Sequence, residues 1–124
     1  MKVSFQGFQE QVLTFETDAA DLAAGVPVKI SANGKVAACG DGEYPAGVTV
    51  SAPRGGLVAV QVGGYVRLKY SGAAPALGGA AICGAAGGTI KSTTPVVKET
   101  GALAGRTVLV VDQDTAGTTV GVIL

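Results

Sequence analysis

A chain of 124 residues with nine basic and nine acidic side chains is of single-domain length and carries no formal net charge. It has no His and no Trp, three Phe, three Tyr and 20 Gly, which excludes Ser-His and Cys-His nucleophile pairs, His-bearing zinc sites and a basic track interleaved with aromatics for nucleic acid. Charged residues make up 15% of the chain, against roughly 25% in an ordinary soluble domain, so part of the surface is expected to face a partner instead of water.

Met1–Gln11 alternates weakly and holds Phe5 and Phe8. It reads as an N-terminal arm or a first edge strand, and it lacks the apolar stretch of a secretory signal. Val12–Thr17 reads as a strand. Asp18-Ala-Ala-Asp-Leu follows as one capped turn, with Asp18 as the N-cap. Val26–Ser31 and Lys35–Ala38 are strands about Asn33-Gly34, a pair that favours a type I′ hairpin because both residues need φ > 0. Cys39–Pro45 is a loop, Val48–Ser51 a strand, and Ala52-Pro-Arg-Gly-Gly a turn. Leu57–Val62 and Tyr65–Tyr70 flank Gly63-Gly64 and read as a second hairpin. Further strands are expected near Ala80–Cys83, Thr89–Ser92, Thr107–Val111 and Thr118–Leu124, with Gly87-Gly88 between the first two. Lys98–Gly101 should be a loop and Asp112–Gly117 a turn. Tyr70–Ile90 is uncharged, but Gly and Pro break it and few large aliphatics fill it, so it does not span a bilayer.

The chain repeats itself. At an offset of 54, Val12 meets Val66, Ala19-Ala20 meet Ala73-Ala74, Val28 meets Ile82, Gly34 meets Gly88 and Val36 meets Ile90. The offset grows to 58, where Ala46-Gly47 meet Ala104-Gly105, and to 62, where Val58, Val60 and Val62 meet Val120, Val122 and Leu124. Self-similarity of this kind marks one supersecondary unit used twice. The expected organisation is therefore an arm over 1–11 and one domain over 12–124, with repeat one over about 12–62 and repeat two over about 66–124. The expected fold is all-β: a compact barrel with an internal pseudo-two-fold repeat.

If Gly63-Gly64 closes a hairpin, one face carries Val58, Val60 and Val62 beside Tyr65, Arg67 and Lys69. The other carries Leu57, Ala59, Val66, Leu68 and Tyr70. Neither face is clearly polar: either the stems of Arg67 and Lys69 lie over the Val stripe, or another layer or a subunit covers it, which makes Val58, Val60, Val62, Tyr65 and Arg67 candidates for a subunit interface.

Candidate chemistry is sparse. Glu16, Asp18 and Asp21, and again Asp112 and Asp114, cluster in predicted turns, where Asp normally serves the backbone. Asp112-Gln-Asp-Thr-Ala-Gly departs from a calcium loop, having Ala116 at the fifth position and Ile123 at the twelfth. Gly78-Gly79 and Gly84-Ala-Ala-Gly-Gly88 lack the GK[ST] and the following helix of a phosphate loop. Lys35, after Asn33-Gly34, is a weak match to a carrier-domain lysine. Cys39 and Cys83 lack metal spacing; a disulfide is open to them, but the missing export signal favours free thiols. No catalytic residue, metal site or cofactor is expected, nor any nucleic-acid or membrane partner. The arm is the recognition candidate: an extended segment can add to a partner's sheet with Phe5 and Phe8 as anchors, or the same two rings can cap the domain's own barrel.

The runs Val26-Pro-Val-Lys-Ile-Ser, Gly34-Lys-Val, Pro45-Ala-Gly-Val-Thr-Val and Gly56-Leu-Val-Ala-Val-Gln-Val-Gly-Gly-Tyr-Val resemble small phage head-decoration (capsid-stabilising, or cement) proteins. The ending Ala104-Gly-Arg-Thr-Val-Leu-Val-Val…Val120-Gly-Val-Ile-Leu is similar to that family's last strands. The resemblance implies a β-tulip or β-clip barrel made in the host cytoplasm and carried on the virion exterior. It implies a homotrimer whose arm, here Lys2, Val3, Phe5 and Phe8, touches the major capsid protein. The alternative is a small carbohydrate- or ligand-binding β module of a phage fibre or cell surface. A small β-barrel enzyme is disfavoured by the missing His.

Overall fold

The computed structural model describes residues 10–94 and 105–124. Short β-branched runs punctuated by Gly give ten strands. These are β1 (Gln11–Glu16), β2 (Pro27–Ala32), β3 (Lys35–Ala38), β4 (Gly47–Thr49) and β5 (Leu57–Gly63), then β6 (Tyr65–Lys69), β7 (Gly78–Ala85), β8 (Thr89–Ser92), β9 (Arg106–Asp114) and β10 (Thr119–Ile123). They form two five-stranded sheets, and the protein is a compact all-β fold. Gln11, assigned to the arm from sequence, is already in β1. The remainder of the arm and the expected loop Lys98–Gly101 lie outside the described residues.

The two sheets are the two halves of the chain. The first is a hydrogen-bonded ring in the order β1-β3-β2-β4-β5. It closes through antiparallel β1–β5 pairing and a single parallel contact of Glu16 with Lys35. The second has the order β6-β10-β9-β7-β8, and an isolated parallel bridge, Tyr70 to Ile90, stands where the first ring closes. Each antiparallel pairing of the first half recurs in the second: β2–β3 as β7–β8, β2–β4 as β7–β9, β4–β5 as β9–β10, and β1–β5 as β6–β10. Val28 opposite Ala38 becomes Ile82 opposite Ser92, and Ile30 opposite Val36 becomes Gly84 opposite Ile90, all at the offset of 54.

Three local expectations are corrected. Gly63-Gly64 does not close a hairpin: β5 pairs with β1 and β4, whereas β6 pairs with β10. The chain crosses there from one sheet to the other. The apolar stripes on the two strands therefore fill two cores, which is why neither face of the imagined hairpin was polar. The Asn33-Gly34 hairpin forms, but only Gly34 has positive φ (68°), and a bulge between Ile30 and Ala32 absorbs the rest of the turn. In the second half both Gly87 (74°) and Gly88 (75°) are left-handed. The segment after β1 makes no helical turn: Thr17 Oγ1, not Asp18, accepts from a nearby backbone N–H, that of Ala19.

Each half has its own core. Leu22, Val28, Val36, Val58 and Val60 fill the first ring, with Phe15 packed against them. Leu68, Tyr70, Ile82, Ile90, Val108, Val110, Val120 and Val122 fill the second, and Val48 of β4 joins them from the first half. Each fully buried Val or Ile contributes roughly 1.5–3 kcal/mol.

Backbone hydrogen bonds and one cation join the halves. Gly42 N–H donates to Gly84 O (2.9 Å) and Gly84 N–H to Glu43 O (2.8 Å). Gly84 can approach this closely because it lacks a side chain: a Cβ there would stand 2.6 Å from both Cys39 Cβ and Gly40 O. Arg106 of β9 donates to Pro45 O (3.2 Å), Ala46 O (2.6 Å) and Val62 O (3.0 Å). Its register equivalent in the first half is Gly47, which stands opposite Val28 as Arg106 stands opposite Ile82. The duplicated position is a bare glycine in one copy and a clamp onto the other copy in the second.

Candidate interaction surface

The structure separates the five residues the sequence grouped as an interface. Val58 and Val60 are buried in the first ring and Val62 packs against that core. Tyr65 and Arg67 lie on the other sheet. There Arg67 donates to both Asp112 oxygens (2.9 and 3.0 Å), to Thr119 Oγ1 (3.0 Å) and to Tyr65 Oη (3.2 Å). The hydrogen bond to the Tyr65 hydroxyl, helped by the Asp112 carboxylate, holds its pKa above the ordinary value against the opposing effect of burial. Tyr65 lies over Gly121, where a Cβ would meet its hydroxyl at 2.6 Å. The arm residues Lys2, Val3, Phe5 and Phe8 lie outside the described residues.

The remaining candidates serve the fold. Asp114 accepts from Gly117 N–H (3.0 Å), closing the turn to β10. Asp18 reaches Lys35 at 3.4 Å across an exposed surface. Cys39 and Cys83 are free and buried. Burial, reinforced by Glu43, pushes the Cys39 thiol up to about 11, the opposite of what a reactive thiolate needs. Among the described residues no group of three His, Cys, Asp or Glu could hold a metal ion, and every buried side-chain N or O has a partner.

The exposed surface is asymmetric. Of seven exposed large hydrophobic residues among the described ones, five belong to the first half: Val12, Leu13, Ile30, Val50 and Leu57. Register explains how three of them share a face. Val12 is opposite Gln61, Thr14 opposite Ala59 and Glu16 opposite Leu57. On the far side of β5, Val48 is opposite Gln61 and Val50 N–H donates to Ala59 O. Opposed residues share a face, so Val12, Thr14, Glu16, Leu57, Ala59, Gln61, Val48 and Val50 all point away from the ring's core. At one end of this face Val48 and Gln61 are covered, Val48 by the second half's core. On that same rung Val12, at the β1 side, stands 48% exposed, and further along Val50 and Leu57 are 50% exposed. The stripe that joins the two halves therefore continues outward.

One edge of β1 is also unpaired among the described residues. Thr17 N–H donates to Gly56 O, beyond the end of β5, whereas Glu16 N–H donates to Gly34 O on the opposite side. Main-chain groups alternate along a strand, so the N–H and C=O of Val12 and Thr14 point to the Gly34 side. The β2–β3 hairpin ends there at Glu16, and among the described residues no strand pairs with that edge at Val12 or Thr14. Sequence reasoning missed this surface because it paired β5 with β6. The signal was present in Val-Leu-Thr-Phe, an uncharged run apolar on both faces.

No protein-family model matches the chain, and no curated protein matches it. Among the described residues no helix is long and apolar enough to cross a membrane.

Proposed function

We propose that this chain is a structural phage-capsid decoration protein. It docks as a homotrimer on the outside of the expanded head and holds the shell together, with the major capsid protein as its partner and without catalysis. The observation that carries the reading is the exposed apolar face of Val12, Val50 and Leu57 beside a strand edge unpaired among the described residues. Large apolar patches on small proteins mark protein partners, and the motifs that resemble the decoration family include the segments of Val50 and Leu57. A protein that binds only the assembled shell stabilises it by mass action. The arm, through Lys2, Val3, Phe5 and Phe8, adds a second attachment.

Co-sedimentation with expanded and unexpanded heads tests this. Binding to expanded heads, with a rise in their melting temperature, is expected. Leu57→Asp combined with Val50→Asp should abolish binding, and deletion of residues 1–9 should weaken it. Binding to a glycan array with none to heads would overturn the reading in favour of a sugar-binding module. The tyrosines argue against that module: Tyr70 is buried, and Tyr44 and Tyr65 are half-buried instead of presenting open rings.

A further inference from the structure

We infer that Asn33 is a site of spontaneous, age-dependent modification: the main-chain nitrogen of Gly34 attacks its side-chain amide, the amide becomes a carboxylate, and the product loosens the closure of the first ring. Asn33 is the chain's only asparagine, and Gly follows it. Asn is among the thermolabile residues, and a following Gly removes the side chain that would crowd the attacking nitrogen. Both residues are exposed. Among the described residues no atom stands within 4 Å of where a Gly34 Cβ would lie.

The reaction balances with water as its one reagent. Gly34 N forms a bond to Asn33 Cγ, the Cγ–Nδ2 bond breaks, and the side-chain nitrogen leaves as ammonia with the proton of the Gly34 N–H. Water then opens the cyclic imide. Cleavage at Cγ gives aspartate. Cleavage at the main-chain carbonyl gives isoaspartate, whose backbone runs through Cβ and Cγ and is longer by a methylene.

The molecule supplies its own control. Asp41-Gly42 can form the same imide with loss of water, and Gly42 has positive φ (78°) as Gly34 has (68°). There the attacking nitrogen is committed: Gly42 N–H donates to Gly84 O at 2.9 Å. The Asp41 carboxylate is held by Lys91 Nζ at 2.6 Å. Among the described residues no backbone carbonyl accepts the Gly34 N–H. The seam between the halves must open locally before Asp41 reacts, whereas the tip of the β2–β3 hairpin needs no such opening.

The consequence comes from where the turn sits. Gly34 O accepts from Glu16 N–H at 2.8 Å, beside the single parallel contact of Glu16 with Lys35 that closes the ring. An added methylene between Asn33 Cα and Gly34 N moves that carbonyl off its donor. The second half lacks the reaction, because the repeat puts Gly87 at the place of Asn33.

The test incubates the full chain in mildly alkaline buffer, folded and in urea, and follows both sites by peptide mass mapping and by labelling with an isoaspartyl methyltransferase. Comparing each site with its own rate in urea cancels the intrinsic difference between amide and acid. Folding should slow Asp41 at least about tenfold and Asn33 less than about threefold. Asn33→Gly copies the turn of the second half and should remove the fast labelling. In the isolated isoaspartyl form the Glu16 amide should exchange hydrogen at least about tenfold faster than in the fresh protein. Freshly made Asn33→Asp, which adds the charge without lengthening the backbone, should keep the original protection. Asn33 slowed by folding as much as Asp41, or isoaspartate appearing first at Asp41, overturns the site. Unchanged Glu16 exchange in the isoaspartyl form, or equal loss of protection in Asn33→Asp, overturns the loosening by a longer backbone.

Discussion

The two halves of this molecule share a pairing diagram and differ in what they do with their outer faces. Rungs across β6, β10 and β9 read Arg67–Gly121–Asp112 and Lys69–Thr119–Asp114, a polar and ion-paired surface suited to water. The corresponding face across β1, β5 and β4 reads Thr14–Ala59–Val50, with Val12–Gln61–Val48 and Glu16–Leu57 on the adjoining rungs, a less charged surface. The second half also holds the larger core. One pairing diagram thus carries a larger core and a charged outer face in the second half, and a smaller core and a more apolar outer face in the first.

A one-residue slip underlies part of this difference. Leu13 stands opposite Val60 in the first half, whereas Val66 stands opposite Val122 in the second. The repeat in sequence aligns Val12 with Val66, but the ladders align Leu13 with Val66. Slipping a strand by one residue turns each of its side chains to the other face. Val12 therefore points outward while Val66 packs against the second core. The irregularity lies between Gln11 and Val12.

The sharpest way to break the comparison is to empty equivalent core positions. Ile82→Ala should cost about 4 kcal/mol and Val28→Ala about 2 kcal/mol, measured by urea denaturation. The excess is more than the one extra methylene group of Ile explains, at about 0.8 kcal/mol. Equal losses would show that the halves share stability evenly. Next in size is the clamp. Arg106→Ala leaves the carbonyls of Pro45, Ala46 and Val62 without their donor and should cost about 3 kcal/mol. If Arg106 is what makes the halves melt together, its loss splits a single calorimetric transition into two, the first ring melting earlier. A single transition that merely moves down would place the coupling in the backbone bonds around Gly84 instead.

Much of this architecture was legible in the sequence. Period-two runs of Val and Ile bounded by Gly placed all ten strands, and Lys35–Ala38 and Thr89–Ser92 have the bounds expected of them. Gly34 and Gly88, matched by the repeat, occupy equivalent turns because each needs φ > 0. The partner of each strand was less legible. Gly63-Gly64 satisfies the local rule for a hairpin, and only the tertiary demand of two cores overrides it. The interface grouping of Val58, Val60 and Val62 with Tyr65 and Arg67 failed with that pairing. The edge of β1, unpaired among the described residues, was hidden for a related reason: an edge is a property of what does not lie alongside, and local sequence does not encode it.

The seam between the halves is testable through a titration. Cys39 sits at that seam, and burial holds its thiol near 11 against an ordinary 9.0. The folded state therefore keeps the proton that the unfolded chain releases. The corresponding stabilisation is complete below pH 9 and is lost as the pH rises towards 11. The expected fall is about 2 kcal/mol, read as the difference in urea midpoint between pH 8 and pH 10.5. Cys39→Ala should flatten this dependence. An alkaline slope unchanged by that substitution would assign the titration to other groups.

The smallest expected effect concerns the guarded face. Arg67 and Asp112 form a bidentate pair at 2.9 and 3.0 Å, yet their side chains are 39% and 41% exposed. Solvent screening at that exposure holds the pair to about 0.5 kcal/mol, so Arg67→Ala should shift the melting temperature only slightly, and less in high salt. Its position matters more than its energy. Arg67 and Thr14 are equivalent residues on the ladders, one beneath a charged roof and the other bare. Arg67→Thr, which copies Thr14 into the second half, should therefore leave the urea midpoint nearly unchanged. A loss well above about 1 kcal/mol would mean that the ion pair holds the second sheet together and is more than a polar cover on it.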